Sequence, residues 1–187
     1  SLEMETVEIA ERMMLSEAQR SKVSARRDKS AQDAVFKTQD VMNGWKMFID
    51  DRGSISTGQI VSSCYKFKQK AGKLDAVFVD YIQLIHTSGN KNSTRDQRLG
   101  EVSRALKILA KEMKCPVIAL SQLNRNAEGR EPTIADLRES GAIEQDADVV
   151  LLLHREKEND KAVSLIVGKN RHGNTGKIDL VWNGEIT

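Results

Sequence analysis

Asp80 closes the run LDAVFVD, in which Ala76 to Val79 form an uninterrupted apolar stretch and a second carboxylate, Asp75, stands at the opening. A carboxylate in that place can hold a hard divalent cation, which prefers oxygen ligands. It can equally end a strand as a turn-former or cap a helix. Gln122 follows another apolar run, Val117 to Leu120. Its amide carries a donor and an acceptor, which suits a phosphate oxygen or an attacking water, although a glutamine after a strand is ordinarily a surface residue. Lys169 and Arg171 are two residues apart, so in extended backbone both leave the same face. Such a pair seeks anions, the Arg forking onto phosphate oxygens and the Lys acting as a point charge. A solvent-facing hairpin decorated with charge has the same pattern. Arg138-Glu139-Ser140-Gly141 sets a cation and a hydroxyl beside a glycine that permits close backbone approach, and backbone N–H groups beside an Arg position a phosphate without reading a base. A helix N-cap region is the competing reading of that segment.

These residues need elements to carry them. A short run rich in Val and Phe, bounded by Gly72 and by polar residues, reads as a strand buried on both faces, as in a parallel sheet. In such sheets ligands lie outside the carboxyl ends of the strands. Asp80, Ser121-Gln122 and His154-Arg155 close the apolar runs ending at Val79, Leu120 and Leu153, so they are expected along one rim. Between the runs, Thr57 to Ala71 is an amphipathic helix with Ile60, Val61, Cys64 and Phe67 inward, stopped by Gly72. Asp96 to Lys114 is a longer one, with Leu99, Val102, Leu106, Leu109 and Met113 on one stripe. Strand alternating with helix predicts a mostly parallel sheet wrapped by helices.

Upstream, Thr6 to Ala18 has helical spacing with Thr6 as its cap, and Ser21 to Val41 is mostly helical, its basic cluster Lys22, Arg26, Arg27 and Lys29 reading as a solvated face in preference to a binding patch. Met47 to Ile49 is a short strand candidate closed by Asp50 and Asp51. His86 to Arg95 and Asn124 to Pro132 are polar loops. Ala162 to Val167 and Lys177 to Trp182 alternate apolar and polar residues around Gly173-Asn174, the signature of a hairpin.

The formal net charge is only +2, so nothing in the overall balance attracts nucleic acid, and any such contact must be local. Aromatic residues make up 4% of the chain, too few for a base-stacking platform. Nucleic acid, if bound, would be held by its phosphates. Cys64 and Cys115 stand far apart with no histidine at ligand spacing, which points to buried free thiols instead of a zinc site or disulfide. The longest apolar stretch is Val149 to Leu153, far short of a membrane span, and no charged-then-apolar leader opens the chain, so a soluble, cytoplasmic protein is expected.

Five segments taken together, SLEM at Ser1 to Met4, DAVFVDYIQLI at Asp75 to Ile85, PVIALSQLNR at Pro116 to Arg125, DLRESGAIEQDADVVLLLHR at Asp136 to Arg155 and GKNRHGNTG at Gly168 to Gly176, resemble in the same order the C-terminal motor domain of a DnaB-type replicative DNA helicase. The resemblance covers most of the chain from Asp75 onward, while Ser21 to Gly72 shares only the pattern. It implies a RecA-like α/β core of the P-loop NTPase class with a C-terminal β-hairpin, working as a homo-hexameric ring that hydrolyses ATP with Mg²⁺ and moves along single-stranded DNA to unwind the fork. By motif position it implies Glu3 as the base that polarises the attacking water, Asp80 as the metal-holding Walker B carboxylate and Gln122 as the sensor of the γ-phosphate. It makes Lys169 and Arg171 a pair acting on a neighbouring subunit's ATP, and sets Arg138, Glu139 and Gly141 on a loop that lines the central channel and contacts the DNA backbone. Arg12, on the helix after Glu3, is placed in the nucleotide region. Primase and a helicase loader are implied as partners, and no membrane.

The pattern departs from the family at one point. No G-x-x-x-x-G-K-[ST] occurs in the chain, so the phosphate-cradling loop is not in it. Residues 1–187 therefore read as a single motor domain beginning just past that loop and ending before the last strands, with little nucleotide affinity and no activity of its own. Two other readings share parts of the pattern. A RecA-type ATPase of another branch, a recombinase or a circadian-clock-like ATPase, has the strand-end Asp and Gln without needing both the RESG loop and the KNR hairpin. A non-catalytic nucleic-acid or partner-binding module is the other.

Overall fold

The computed structural model describes residues 3–87, 93–157 and 161–184, apart from the side chains of 138–140. It divides into two compact units, one formed mainly by residues 3–51 and the other by 52–182.

The first unit is helical. Helix α1 spans Thr6–Glu17, α2 spans Lys22–Arg27 and α3 spans Lys29–Asn43. Ser21 caps α2 and Asp28 caps α3, each side chain accepting a backbone N–H of the first turn, which satisfies donors that the helix itself leaves open. Leu15 and Ala31 are buried, while Lys22, Arg26, Arg27 and Lys29 lie toward solvent, as the polar pattern predicts. Two expectations fail here. Thr6 does not cap α1; its N–H and its hydroxyl both donate to the Asp51 carboxylate, at 2.9 and 2.7 Å. Met47 to Ile49 form no strand. Three apolar residues without a ladder partner gain none of the cross-strand bonds that stabilise extended backbone, and the Asp51 that follows them serves α1 instead.

The second unit carries the sheets. Strand β1 (Ile55–Ser56) leads into α4 (Thr57–Ala71), and β2 (Val77–Val79) is followed by β3 (Ile85–His86). Helix α5 covers Arg95–Met113, β4 Val117–Ala119, α6 Gly141–Asp146, β5 Val149–His154, β6 Ala162–Asn170 and β7 Gly176–Val181. Both long helices open with a full capping box, Ser56 with Gln59 and Thr94 with Gln97. Helix α4 ends at Gly72, whose φ of 84° favours glycine. The stripe Leu99, Val102, Leu106, Leu109 and Met113 is buried, as its spacing predicts, and packs in one cluster with Ile60, Cys64, Val79, Ile82, Ile85 and Cys115. Both cysteines are free and buried.

Strands β1 with β3 and β2 with β4 pair in parallel, whereas β5, β6 and β7 form an antiparallel sheet. The apolar runs are not buried on both faces. In β5, Val150 and Leu152 pack on Leu137, while Leu153 is 64% exposed, and in β2 Phe78 is 70% exposed. Val79 packs with α5 in the core cluster while its neighbour Phe78 stays outside it, so uniform apolar composition overstated the burial. The hairpin is also longer than its alternation suggested. Strand β6 continues to Asn170, which puts Lys169 within the strand and Arg171 at the first position of the turn.

Candidate functional site

The parallel pairing of β2 with β4 matches Val77 to Val117 and Val79 to Ala119. The register continues past the ladder, because the Leu120 N–H donates to the Val79 carbonyl at 2.9 Å and the Ile82 N–H donates to the Leu120 carbonyl at 3.0 Å. Asp80 and Ser121-Gln122 therefore leave adjacent strands at the same carboxyl edge, as their positions after two apolar runs predict. Asp80 is partly buried and joined to Tyr81 by a cis peptide. Gln122 is exposed. A link that sequence reading missed fastens the two ends. Gln83, three residues past Asp80, donates its amide to the Ser121 hydroxyl at 2.9 Å and to the Gln122 carbonyl at 3.2 Å, and its amide oxygen accepts the Gln122 N–H at 3.4 Å. A primary amide satisfies a backbone N–H and C=O together, and that capacity was the available signal.

Below this rim lies a polar cleft lined by Gln83, Arg95, Gln122, Asn124, Arg125 and Asp136. Its far wall is a built loop. The Asp136 carboxylate is buried and receives a two-pronged contact from the Arg130 guanidinium, at 2.5 and 2.9 Å. It also accepts the Thr133 N–H at 2.7 Å and the Thr133 hydroxyl at 3.1 Å. These donors, Arg130 first, hold the Asp136 carboxyl far below the usual carboxylate range. The Asn124 N–H closes the loop onto the Asp136 carbonyl at 3.0 Å. The Thr133-x-x-Asp136 spacing is a capping-box signature that could have found this.

Asp136 lies within a helical turn, Ile134–Ser140, that is kinked at Leu137 and continues into α6. The backbone of Arg138 to Ser140 thus ends this turn and Gly141 opens α6, while the cap of the helical stretch is Thr133, so the segment is not the N-cap region that one reading made of it. The side chains of Arg138 and Glu139 lie outside the described residues; Gly141 is the first residue of α6.

Lys169 and Arg171 converge, and their shared target is the end of α6. The Lys169 ammonium donates to the Glu144 carbonyl and the Arg171 guanidinium to the Gln145 carbonyl at 3.2 Å. Arg171 also pairs with the Asp148 carboxylate at 3.0 Å and remains half exposed. Asp148 accepts a second cation, Lys107 of α5. Lys107 first and Arg171 after it hold the Asp148 carboxyl below its ordinary range. Nothing local in the sequence marks Asp148, since Lys107 is 41 residues away. His154 closes β5, and the next residue, Arg155, lies over the Trp182 ring at 5.1 Å.

Glu3 and Arg12 belong to the first unit. Glu3 is exposed just before α1, and Arg12 on α1 pairs with Glu8 one turn away at 3.3 Å. Among the described residues no three His, Cys, Asp or Glu gather as a ready-made metal cage. A single carboxylate at a strand end fits Mg²⁺, which is held through one or two carboxylates while substrate phosphates and water fill the remaining positions. No helix among the described residues is long and apolar enough to cross a membrane.

Across its full length, residues 1–187, the chain matches the model of the DnaB-like helicase C terminal domain. The replicative DNA helicase DnaB of Leifsonia xyli subsp. xyli is 44% identical over 98% of this chain, and that of Geobacillus stearothermophilus is 38% identical over 97%. The chain spans 42% of the length of each of these relatives. Among solved structures, one ATPase domain superposes on all of the chain with a TM-score of 0.90 at 33% identity, the chain covering 70% of it. A DnaB-like replicative helicase studied for its interactions with primase superposes over 99% of the chain with a TM-score of 0.90 at 32% identity, 49% of that protein being covered.

Proposed function

Because this chain belongs to the DnaB-like helicase C-terminal domain family and has its RecA-like ATPase fold, we propose that it is the motor part of a cytoplasmic replicative DNA helicase, which hydrolyses ATP with Mg²⁺ as a homo-hexameric ring and unwinds duplex DNA while moving along a single strand. The observation that carries the reading is the carboxyl edge shared by β2 and β4, where Asp80 and Gln122 follow the ends of two paired parallel strands.

Asp80 would hold Mg²⁺, which, when bound, neutralises charge building on the β- and γ-phosphate oxygens. Gln122, its backbone pinned by Gln83, would present its amide to the γ-phosphate. Glu3 would take the proton of the attacking water, and Arg12 would lie near the nucleotide. Lys169 and Arg171 would act on the nucleotide of the neighbouring subunit, supplying positive charge as the phosphoryl group leaves. The turn Arg138, Glu139 and Gly141 would contact the DNA backbone, so that binding is independent of base sequence. Primase and a helicase loader are the protein partners of this reading, which also takes residues 1–187 as one motor domain that follows the phosphate-cradling loop.

The test is Asp80→Ala in the full-length protein that carries this chain. Loss of the metal-holding carboxylate is expected to lower DNA-stimulated ATP turnover at least about 100-fold while single-strand binding persists. Turnover close to wild type would overturn the assignment.

A further inference from the structure

Helix α6 is short, and both of its ends adjoin groups that carry chemistry. Its last carbonyls, Glu144 and Gln145, receive Lys169 and Arg171. The final C=O groups of any helix lack intrahelical partners and carry partial negative charge, so cations there cap it. Arg171 is fixed more firmly than a cap requires. Its own N–H donates to the Asp148 carbonyl at 2.8 Å, and its guanidinium pairs with the Asp148 carboxylate at 3.0 Å. That carboxylate also accepts Lys107 from α5, so one side chain ties the hairpin turn to the core helix just behind α6. At its other end α6 starts at Gly141, the last residue of the turn to which DNA contact is assigned.

We infer that Asp148 is a positioning residue: it holds Arg171 against α6, so that the cation pair meant for a neighbour's nucleotide and the turn meant for DNA are two ends of one small element. The inference rests on the proposed function. When Lys169 and Arg171 reach toward phosphates across a subunit boundary, the Glu144 and Gln145 carbonyls lose these donors and the Asp148 carboxylate keeps only Lys107. Helix α6 is then less firmly seated, and the turn at Gly141 is less firmly placed. Linkage makes the effect reciprocal: nucleotide changes DNA affinity by the factor by which DNA changes nucleotide affinity.

Asp148→Asn keeps the side chain's size and removes its charge, and Asp148→Glu keeps the charge. Both are made in the full-length protein. The affinity for a fluorescent oligo-dT strand is measured with and without a non-hydrolysable ATP analogue, alongside the melting temperature. The wild-type ratio of the two affinities is expected to fall about 5-fold or more toward unity in Asp148→Asn, with the melting temperature held and the ratio largely restored in Asp148→Glu. An unchanged ratio in Asp148→Asn, or a ratio that falls only together with the melting temperature in both variants, overturns the inference alone. A wild-type protein that neither binds the strand nor hydrolyses ATP overturns the proposed function, and this inference with it.

Discussion

At the scale of single residues, the buried Asp136 carboxylate gives the sharpest expectation. Its folded pKa lies below the ordinary value of 3.8, chiefly through Arg130. A depressed carboxyl pKa contributes stability in full above the unfolded value, and that contribution is withdrawn as pH falls through it toward the folded value. Asp136→Asn should therefore be less stable than wild type near neutrality, with the gap closing between about pH 5 and pH 2. Urea midpoints across that range check it; a gap independent of pH would show that the charge of Asp136 is not what stabilises the loop. Residues were legible in the sequence where position along an element fixes location. Asp80 and Gln122 follow apolar runs, so the rim they share was readable. Asp148 was not, because its partners come from α5 and the hairpin turn, and only the fold brings those three together.

At the scale of elements, the two long helices of the second unit were legible almost to the residue from their apolar stripes and, for the first, the stop at Gly72, although the capping boxes that open them went unread. The strands were legible in place but not in environment. Apolar composition cannot say whether a second layer covers the other face, and in β2 and β5 that face is exposed. Pairing direction was also beyond a strand's own sequence, and β5 pairs antiparallel with β6. The hairpin's seat depends on Gly168, where an added Cβ would stand 2.9 Å from Ile134 Cγ1 and 3.6 Å from Leu152 Cδ1. Gly168→Val should push β6 away from the segment leading to α6, at about 1–3 kcal/mol by urea unfolding. Stability equal to wild type would mean that Ile134 yields freely and does not locate the hairpin.

At the scale of the whole molecule, the proposed function divides the catalytic groups of one ATP site between two copies of the chain. Asp80 and Gln122 sit on one rim, while Lys169 and Arg171 are gathered at the far end of α6 with Arg171 still half exposed. Two variants of the full-length protein separate these contributions: Asp80→Ala removes the metal-holding side, and Arg171→Ala removes the side offered to the neighbour. The measurement is DNA-stimulated ATP turnover of each variant alone and of their mixture, with native mass spectrometry confirming that subunits have exchanged into mixed rings. Each alone should be nearly inactive, and the mixture should recover turnover, because some interfaces then join an intact Asp80 to an intact Arg171. Mixed rings that stay as inactive as the separate variants would contradict a site shared between neighbours.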